Sequence, residues 1–359
     1  MILLLWIISF TFPGSIYSGD RIFYYDARSM ASGGASVVNA NGVNPAVFPE
    51  NRFRVNFIYN PVFTSEKRGL RVYDSYGNNM GISTIDENVT STDQYCGSLA
   101  IMPLNSFYLG CRFVPAWNFS YNYRHESRDD FYQLQSIEEI TNQGAIDDLE
   151  PMIGLAIGRI SIGVSYIIQY GNIHYRYSLI TNSGADSIME SSTSYQGSTG
   201  RAGIYFKSKI GLDLGYVYTY RSSLSANNSG ADLNYPTTQV IGFAYQPANR
   251  LPTRLAVELA YEKWVQPLFV YKLGIEHHVT EQQALRYGFC LLPDYNEKSI
   301  WTTVFCIGYG MKRDRFMVDI AYSYAKRDYS SYSLNLALPE NLYFSESTNN
   351  IILSVSYYF

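Results

Sequence analysis

Charge is scarce in this sequence: Lys, Arg, Asp and Glu make up 16% of 359 residues, against roughly 25% in soluble domains. Long apolar runs are scarcer still, and after residue 20 nothing approaches the ~20 residues that a membrane-spanning helix requires. Four cysteines, Cys96, Cys111, Cys290 and Cys306, are too few for a disulfide scaffold and match no zinc spacing. Cys290 and Cys306 fall on neighbouring segments, as small buried residues or as a bridge. The four histidines, His125, His174, His277 and His278, form neither a Ser/His/acid arrangement nor a metal site, so the residues suggest no enzyme, no metal and no cofactor. A formal net charge of −4 gives no reason to expect a nucleic-acid partner. What the chain has instead is aromatic surface, including 34 tyrosines. Few charges and many aromatics suit strands that face lipid, and a closed barrel is the only spanning form besides a helix that satisfies its backbone.

The pattern of the residues agrees. In the last stretch, "IILSVSYYF", Ile351, Leu353, Val355, Tyr357 and Phe359 alternate with polar residues, Ile352 being the misfit, which is the period of a two-faced strand. About fourteen such segments follow one another from residue 52, beginning with "RFRVNFIYNPVF". Connections of a few residues, near 103, 159–161 and 207–209, alternate with long ones at 64–92, 124–151, 178–199, 222–236 and 328–346. The fold expected is an all-β transmembrane antiparallel β-barrel of about 14 strands, with short turns at one end and long loops at the other. Arg54, Arg112, Asp213, Glu258, Glu262, Lys272, Glu276, Arg286 and Asp319 lie on the face opposite the aliphatic and aromatic one. Arg or Lys on the lipid side costs ~2–4 kcal/mol near the midplane, so the charged face is expected to line the lumen. There the charges either neutralise one another or hold a ligand carboxylate.

Two irregularities stand out. Pro115 lies mid-run in "NSFYLGCRFVPAWNFSYNY" and has no N–H to give to a ladder, so it predicts a gap, unless it stands above the membrane where water fills the missing bond. Near Gly171 and Asn172 the apolar set moves from even to odd positions, which predicts a bulge. The acidic loop around 126–151 shows a short helix-like spacing at Leu134, Ile137 and Ile140.

Residues 1–18, "MILLLWIISFTFPGSIYS", read as a secretory signal ending near Ser18, although no Lys or Arg precedes the apolar core; a buried strand is the alternative. Residues 19–50 lack alternation and are rich in Gly, Ala, Ser and Asn, which suits a segment packed inside the barrel of residues 51–359. A periplasmic tail and a short helix across the barrel mouth are the other readings.

Within that segment, "DARSMASGGASVVNANGVNPAVF" resembles the N-terminal signature of the FadL-type outer-membrane transport superfamily, which includes the PorV-like proteins. The matching positions are Arg28, Met30, Gly33, Gly34, Ala35, Asn44, Pro45 and Ala46. The neutral "NANGV" stands where that pattern has an acidic pair, and Val47 and Phe48 where Gly and Leu or Met are usual. The resemblance implies a barrel in the bacterial outer membrane, after removal of the signal. It also implies that residues 19–50 form a hatch, and that a hydrophobic, long-chain fatty-acid-like ligand leaves sideways into outer-membrane lipid. Pro115 then marks a candidate lateral opening. Tyr357 and Phe359 resemble the C-terminal signal read by the barrel-assembly machinery. The PorV-like alternative docks or shuttles a secreted protein partner and transports no small molecule.

Overall fold

The computed structural model describes residues 20–22, 25–49, 51–184, 186–227, 230–247, 252–294, 299–331 and 342–358. The proposed signal sequence and Phe359 lie outside the described residues.

Eighteen strand stretches are present among the described residues. Three of the strands are each split by a two-residue interruption, and one further stretch, Asp20–Arg21, stands apart, which leaves fourteen barrel strands. They are β1 (Phe53–Tyr73), β2 (Asn79–Leu104), β3 (Phe107–Asn118, resuming as Tyr121–Arg128), β4 (Leu134–Ile157), β5 (Ile160–Thr181), β6 (Ser187–Lys207) and β7 (Leu212–Thr219, resuming as Ser222–Ala226). Then come β8 (Leu233–Tyr235, resuming as Thr238–Tyr245), β9 (Thr253–Glu262), β10 (Leu268–His278), β11 (Gln283–Pro293), β12 (Trp301–Arg313), β13 (Phe316–Ser331) and β14 (Leu342–Tyr358). Each pairs antiparallel with its successor, and β14 returns to β1, with Tyr357 opposite Val55 and Tyr343 opposite Gly69. Closure removes the sheet edges, so nearly every backbone donor and acceptor finds a partner within the protein.

The outward face is apolar around the circumference. Phe57, Tyr166, Ile204, Ile241, Phe305 and Ile307 are each more than half exposed, an arrangement far larger than the few-hundred-Å² patches of soluble surfaces. The band ends near Tyr170 on β5, beyond which the outward positions are Asn172, His174 and Arg176. Lysine at Ile204, within the band, is expected to destabilise the barrel by about 2–4 kcal/mol, and lysine at Ser192, beyond it, by about 0–1 kcal/mol. Equal losses on urea titration in lipid vesicles would mean that the band does not face lipid.

Three sequence expectations require correction. The stretches 64–92, 124–151, 178–199, 222–236 and 328–346 are not long loops: their described parts are mostly strand, so the barrel extends as tall hairpins. The two connections at 74–78 and 129–133 are five-residue turns, closed by Asp74 N to Asn78 O and Asp129 N to Gln133 O. Above the band a strand needs no apolar outer face, so β-branched and polar residues such as Thr64 and Thr90, which face each other, pair without showing alternation. Leu134, Ile137 and Ile140 belong to β4, not to a helix, and Ile140 packs inside against Tyr121 and Tyr123. Nor is there a bulge at Gly171 and Asn172, which pair in continuous register with Ile146 and Ala145 on one side and Tyr195 and Ser194 on the other. The apolar set changes sides because water replaces lipid outside, so Ile173, Tyr175 and Tyr177 turn inward to join buried aromatic clusters.

Candidate functional site

The stretch 25–49 is almost wholly buried, on the inner side of the strands. Asp26 starts a five-residue helix, α1 (Ala27–Ala31), by accepting from Ser29 N at 2.6 Å, while Ser29 Oγ accepts from Asp26 N at 3.1 Å. Its small apolar face, Ala27, Met30 and Ala31, packs against Ile58, Val114, Ala321 and Ile352. Ile352, the one break in the C-terminal alternation, is therefore an inward contact for this helix. Gly33 and Gly34 then turn the chain with φ of +65° and +80°, and at Gly33 an added Cβ would stand 2.6 Å from Leu273 O and Phe289 N.

Inward charges hold this stretch by its backbone. Lys272 Nζ donates to Glu258 Oε1 at 2.7 Å and to Gly34 O at 3.1 Å; Glu258 Oε2 accepts from Ser36 N at 2.7 Å and Val37 N at 2.8 Å. Arg112 Nη1 donates to Gly42 O at 2.6 Å, and Arg54 Nη2 to Ala40 O at 3.1 Å. Arg254 reaches Asn39 Oδ1 at 2.7 Å and Val38 O at 3.2 Å, and stands 3.7 Å from Asp213. The same charges neutralise one another. Arg112 and Arg201 share Glu150, at 2.5 and 2.7 Å. Arg28 grips Glu276 through two bonds of 2.9 Å, and Arg286 links Glu276 at 2.5 Å to Asp319 at 2.6 Å. Glu262 pairs with Arg21 and accepts from Trp264 Nε1 at 2.8 Å. Ion pairs this deep tolerate burial only when their remaining donors and acceptors are satisfied, and here the segment's amides and carbonyls do part of that.

Asn44 fixes the far end of the stretch, donating to Val37 O at 3.0 Å and Ile204 O at 3.1 Å and accepting from Ala46 N at 2.9 Å. Pro45 O accepts from the Tyr108 hydroxyl. Under the segment runs a track of glycines, paired across neighbouring strands: Gly163 with Gly203, Gly215 with Gly242, Gly274 with Gly288. A Cβ at Gly163 would overlap Pro45 O, one at Gly203 would overlap Asn44 Oδ1, and one at Gly288 would overlap Gly33 N. The wall is bare where the segment lies against it.

The ladder between β2 and β3 is incomplete. It starts at Leu104–Phe107, shifts register, runs on from Ile101–Leu109 to Gly97–Phe113 and stops there, while β3 stays paired with β4 on its other side. Two residues beyond Phe113, Pro115 faces Asp147 across that intact pairing, and Ala116 is an extra residue before Trp117 meets Ile146. Following the register from Pro115 through Asp147 leads to Tyr170, at the rim of the apolar band. The freed edge of β3 is met by the N-terminal chain, where Asp20 pairs with Asn118, Arg21 with Trp117, and Ile22 N donates to Ala116 O at 3.0 Å. Higher up, β2 and β3 are joined through side chains of β2, as in Tyr123 OH to Asp86 Oδ2 at 3.0 Å. Beside this interruption lies a cavity of about 220 Å³, bordered by Ile22, Gln94, Trp117, Tyr121, Val270 and Val304 among others.

The barrel superposes on solved structures over nearly its full length. A Pseudomonas aeruginosa FadL homologue matches with a TM-score of 0.67 at 14% identity, covering 94% of this chain and 99% of that one. The fold is that of the FadL-type barrels. The Pseudomonas putida toluene transporter TodX gives a TM-score of 0.65 at 16% identity (96% of this chain, 100% of that one). The Ralstonia pickettii toluene transporter TbuX gives 0.61 at 12% identity (94% and 100%). No family model matches the sequence, and no curated protein matches it.

On this FadL-type frame the nine inward charges named from the sequence fall into separate groups. Glu258 and Lys272 form one, Glu276, Arg286 and Asp319 another, while Arg54, Arg112, Asp213 and Glu262 each sit elsewhere on the inner wall. Arg28, Gly33, Gly34, Ala35, Asn44, Pro45 and Ala46 lie along the buried stretch. Gly171 and Asn172 belong to regular strand, and Tyr357 pairs with Val55 and meets the Phe316 ring at a tilt of 52°, with ring centroids 4.8 Å apart. The glycine track, Glu150 with Arg201, and the cavity-lining amides were not singled out by sequence. Inward glycines at matching height on β5 to β8 and on β10 and β11 were the signal available for the first of these.

Proposed function

We propose that this chain is an outer-membrane channel for the uptake of hydrophobic small molecules, gated by residues 19–50 as a hatch and releasing its cargo sideways between β2 and β3. The observation that carries this reading is the interrupted β2–β3 ladder at the rim of the lipid-facing band with a cavity beside it. A greasy solute gains free energy by leaving through such an opening into hydrocarbon and none by crossing an aqueous mouth. That TodX and TbuX, of the same fold, are toluene transporters and that the first structure is a FadL homologue supports a hydrophobic cargo. The cavity favours a channel over a PorV-like docking barrel, which needs no internal space.

Replacing Pro115 by alanine while deleting Ala116 restores the missing N–H and removes the extra residue next to the interruption. Uptake of a radiolabelled hydrophobic compound by cells is then expected to drop on the order of tenfold as the ladder closes, with heat-modifiable electrophoretic mobility still reporting a folded barrel. Unchanged uptake would dispose of the lateral route.

A further inference from the structure

We infer that the cavity selects neutral, single-ring-sized apolar compounds that carry a hydrogen-bonding group, and that it disfavours free carboxylates. This rests on the uptake reading above and narrows its substrate class. At about 220 Å³ the space exceeds the ~150 Å³ cavity that takes up benzene and falls below the ~300–1,000 Å³ of pockets for drug-sized ligands.

Its walls are of two kinds. Val270, Leu292, Val304 and Ala325, on β10 to β13, form an apolar side. Across from them β1 and β2 present Asn60, Thr64, Asn88, Thr90 and Gln94. Asn60 is 3% exposed and donates from Nδ2 to Gln94 Oε1 at 2.7 Å, yet its Oδ1 meets no partner; on the adjacent strand the Nδ2 of Asn88 meets none either. That wall presents amides and hydroxyls to the space, so a ligand that supplies complementary atoms gains hydrogen bonds where a purely apolar one leaves the wall unmatched.

Charge argues against an acid. The two guanidinium groups on the lining are engaged, Arg21 by Glu262 and Arg327 by Glu346 with Asp294 at 3.5 Å; Glu66 is held by Arg68 at 2.5 Å, and Asp20 adds a further carboxylate. A ligand carboxylate would meet cations already neutralised and a surplus of like charge. A hydroxyl, amide or carbonyl on a ring meets neither obstacle.

Three ligands of one size separate the contributions: p-cresol, with a hydroxyl; toluene, without one; and benzoate, charged. Isothermal titration calorimetry on the full-length protein in lipid nanodiscs, with empty nanodiscs as blank, is expected to show p-cresol binding about tenfold or more tighter than either of the others, since sites built around a hydrogen bond reject analogues that lack it. Asn60→Leu should abolish the preference for p-cresol over toluene while leaving toluene binding in place, and Asn88→Leu should reduce it. Toluene binding as tightly as p-cresol, or benzoate binding more tightly, overturns the inference. If none of the three binds while cells still take up a longer apolar compound, the selectivity is wrong and the channel stands; if uptake is absent as well, both readings fall.

Discussion

Truncating Glu258 to alanine should destabilise the barrel by about 3–5 kcal/mol, the cost of leaving a buried charge without its partner. Glu258 is 3% exposed, and its two oxygens serve the Lys272 ammonium and the amides of Ser36 and Val37. Glu258→Gln keeps an oxygen for the amides and loses the charge, so it should cost less than the truncation. Glu87→Ala, which breaks the exposed pair with Lys67 at 3.2 Å, should cost at most about 1 kcal/mol. Unfolding in urea from lipid vesicles ranks the three. Equal losses for Glu258→Ala and Glu87→Ala would show that the inner charges do not anchor the N-terminal stretch.

A leucine in the glycine track should free that stretch from the wall and open the lumen to ions. At Gly163 a Cβ already overlaps Pro45 O, and at Gly203 it overlaps Asn44 Oδ1, so no rotamer of leucine fits while residues 44–46 remain in place. Both glycines are held in regular pairing with each other and with strands on either side, and leucine suits a strand, so the barrel itself should persist. Single-channel current in planar bilayers should rise on the order of tenfold for Gly163→Leu, toward that of a water-filled barrel. Gly97, whose nearest outside atom to an added Cβ is Asn56 O at 3.7 Å, provides the comparison: Gly97→Ala should conduct like the parent. A closed Gly163→Leu barrel would mean that the segment repacks around the leucine and that the bare wall is not required.

The barrel was legible because lipid and lumen impose opposite polarities on alternate residues, and a period of two survives in sequences such as Leu255, Val257 and Leu259 against Arg254 and Glu258. The hairpins were not legible, because strands standing in water on both faces carry no such contrast: Thr64 to Glu66 and Asn88 to Thr90 pair through β-branched and polar side chains that read as loop. At Ile173, Tyr175 and Tyr177 the pattern was seen and misassigned. Exchange of lipid for water outside inverts which face is apolar and mimics the signature of an inserted residue. Pro115 was readable because a missing N–H is a property of the residue itself, whereas the extra residue beside it, Ala116, carries no mark. Glycines on the inner wall were silent in any scale of hydrophobicity, since what matters there is an absence of atoms.

The N-terminal stretch bonds to side chains that project from β1, β3, β9 and β10, and it packs against β11 to β14. A seam joins β14 to β1 along most of their length. Residues held on so many sides cannot be withdrawn from a finished cylinder without breaking every one of those bonds. The barrel and its inner segment are therefore expected to unfold together, in one transition rather than two.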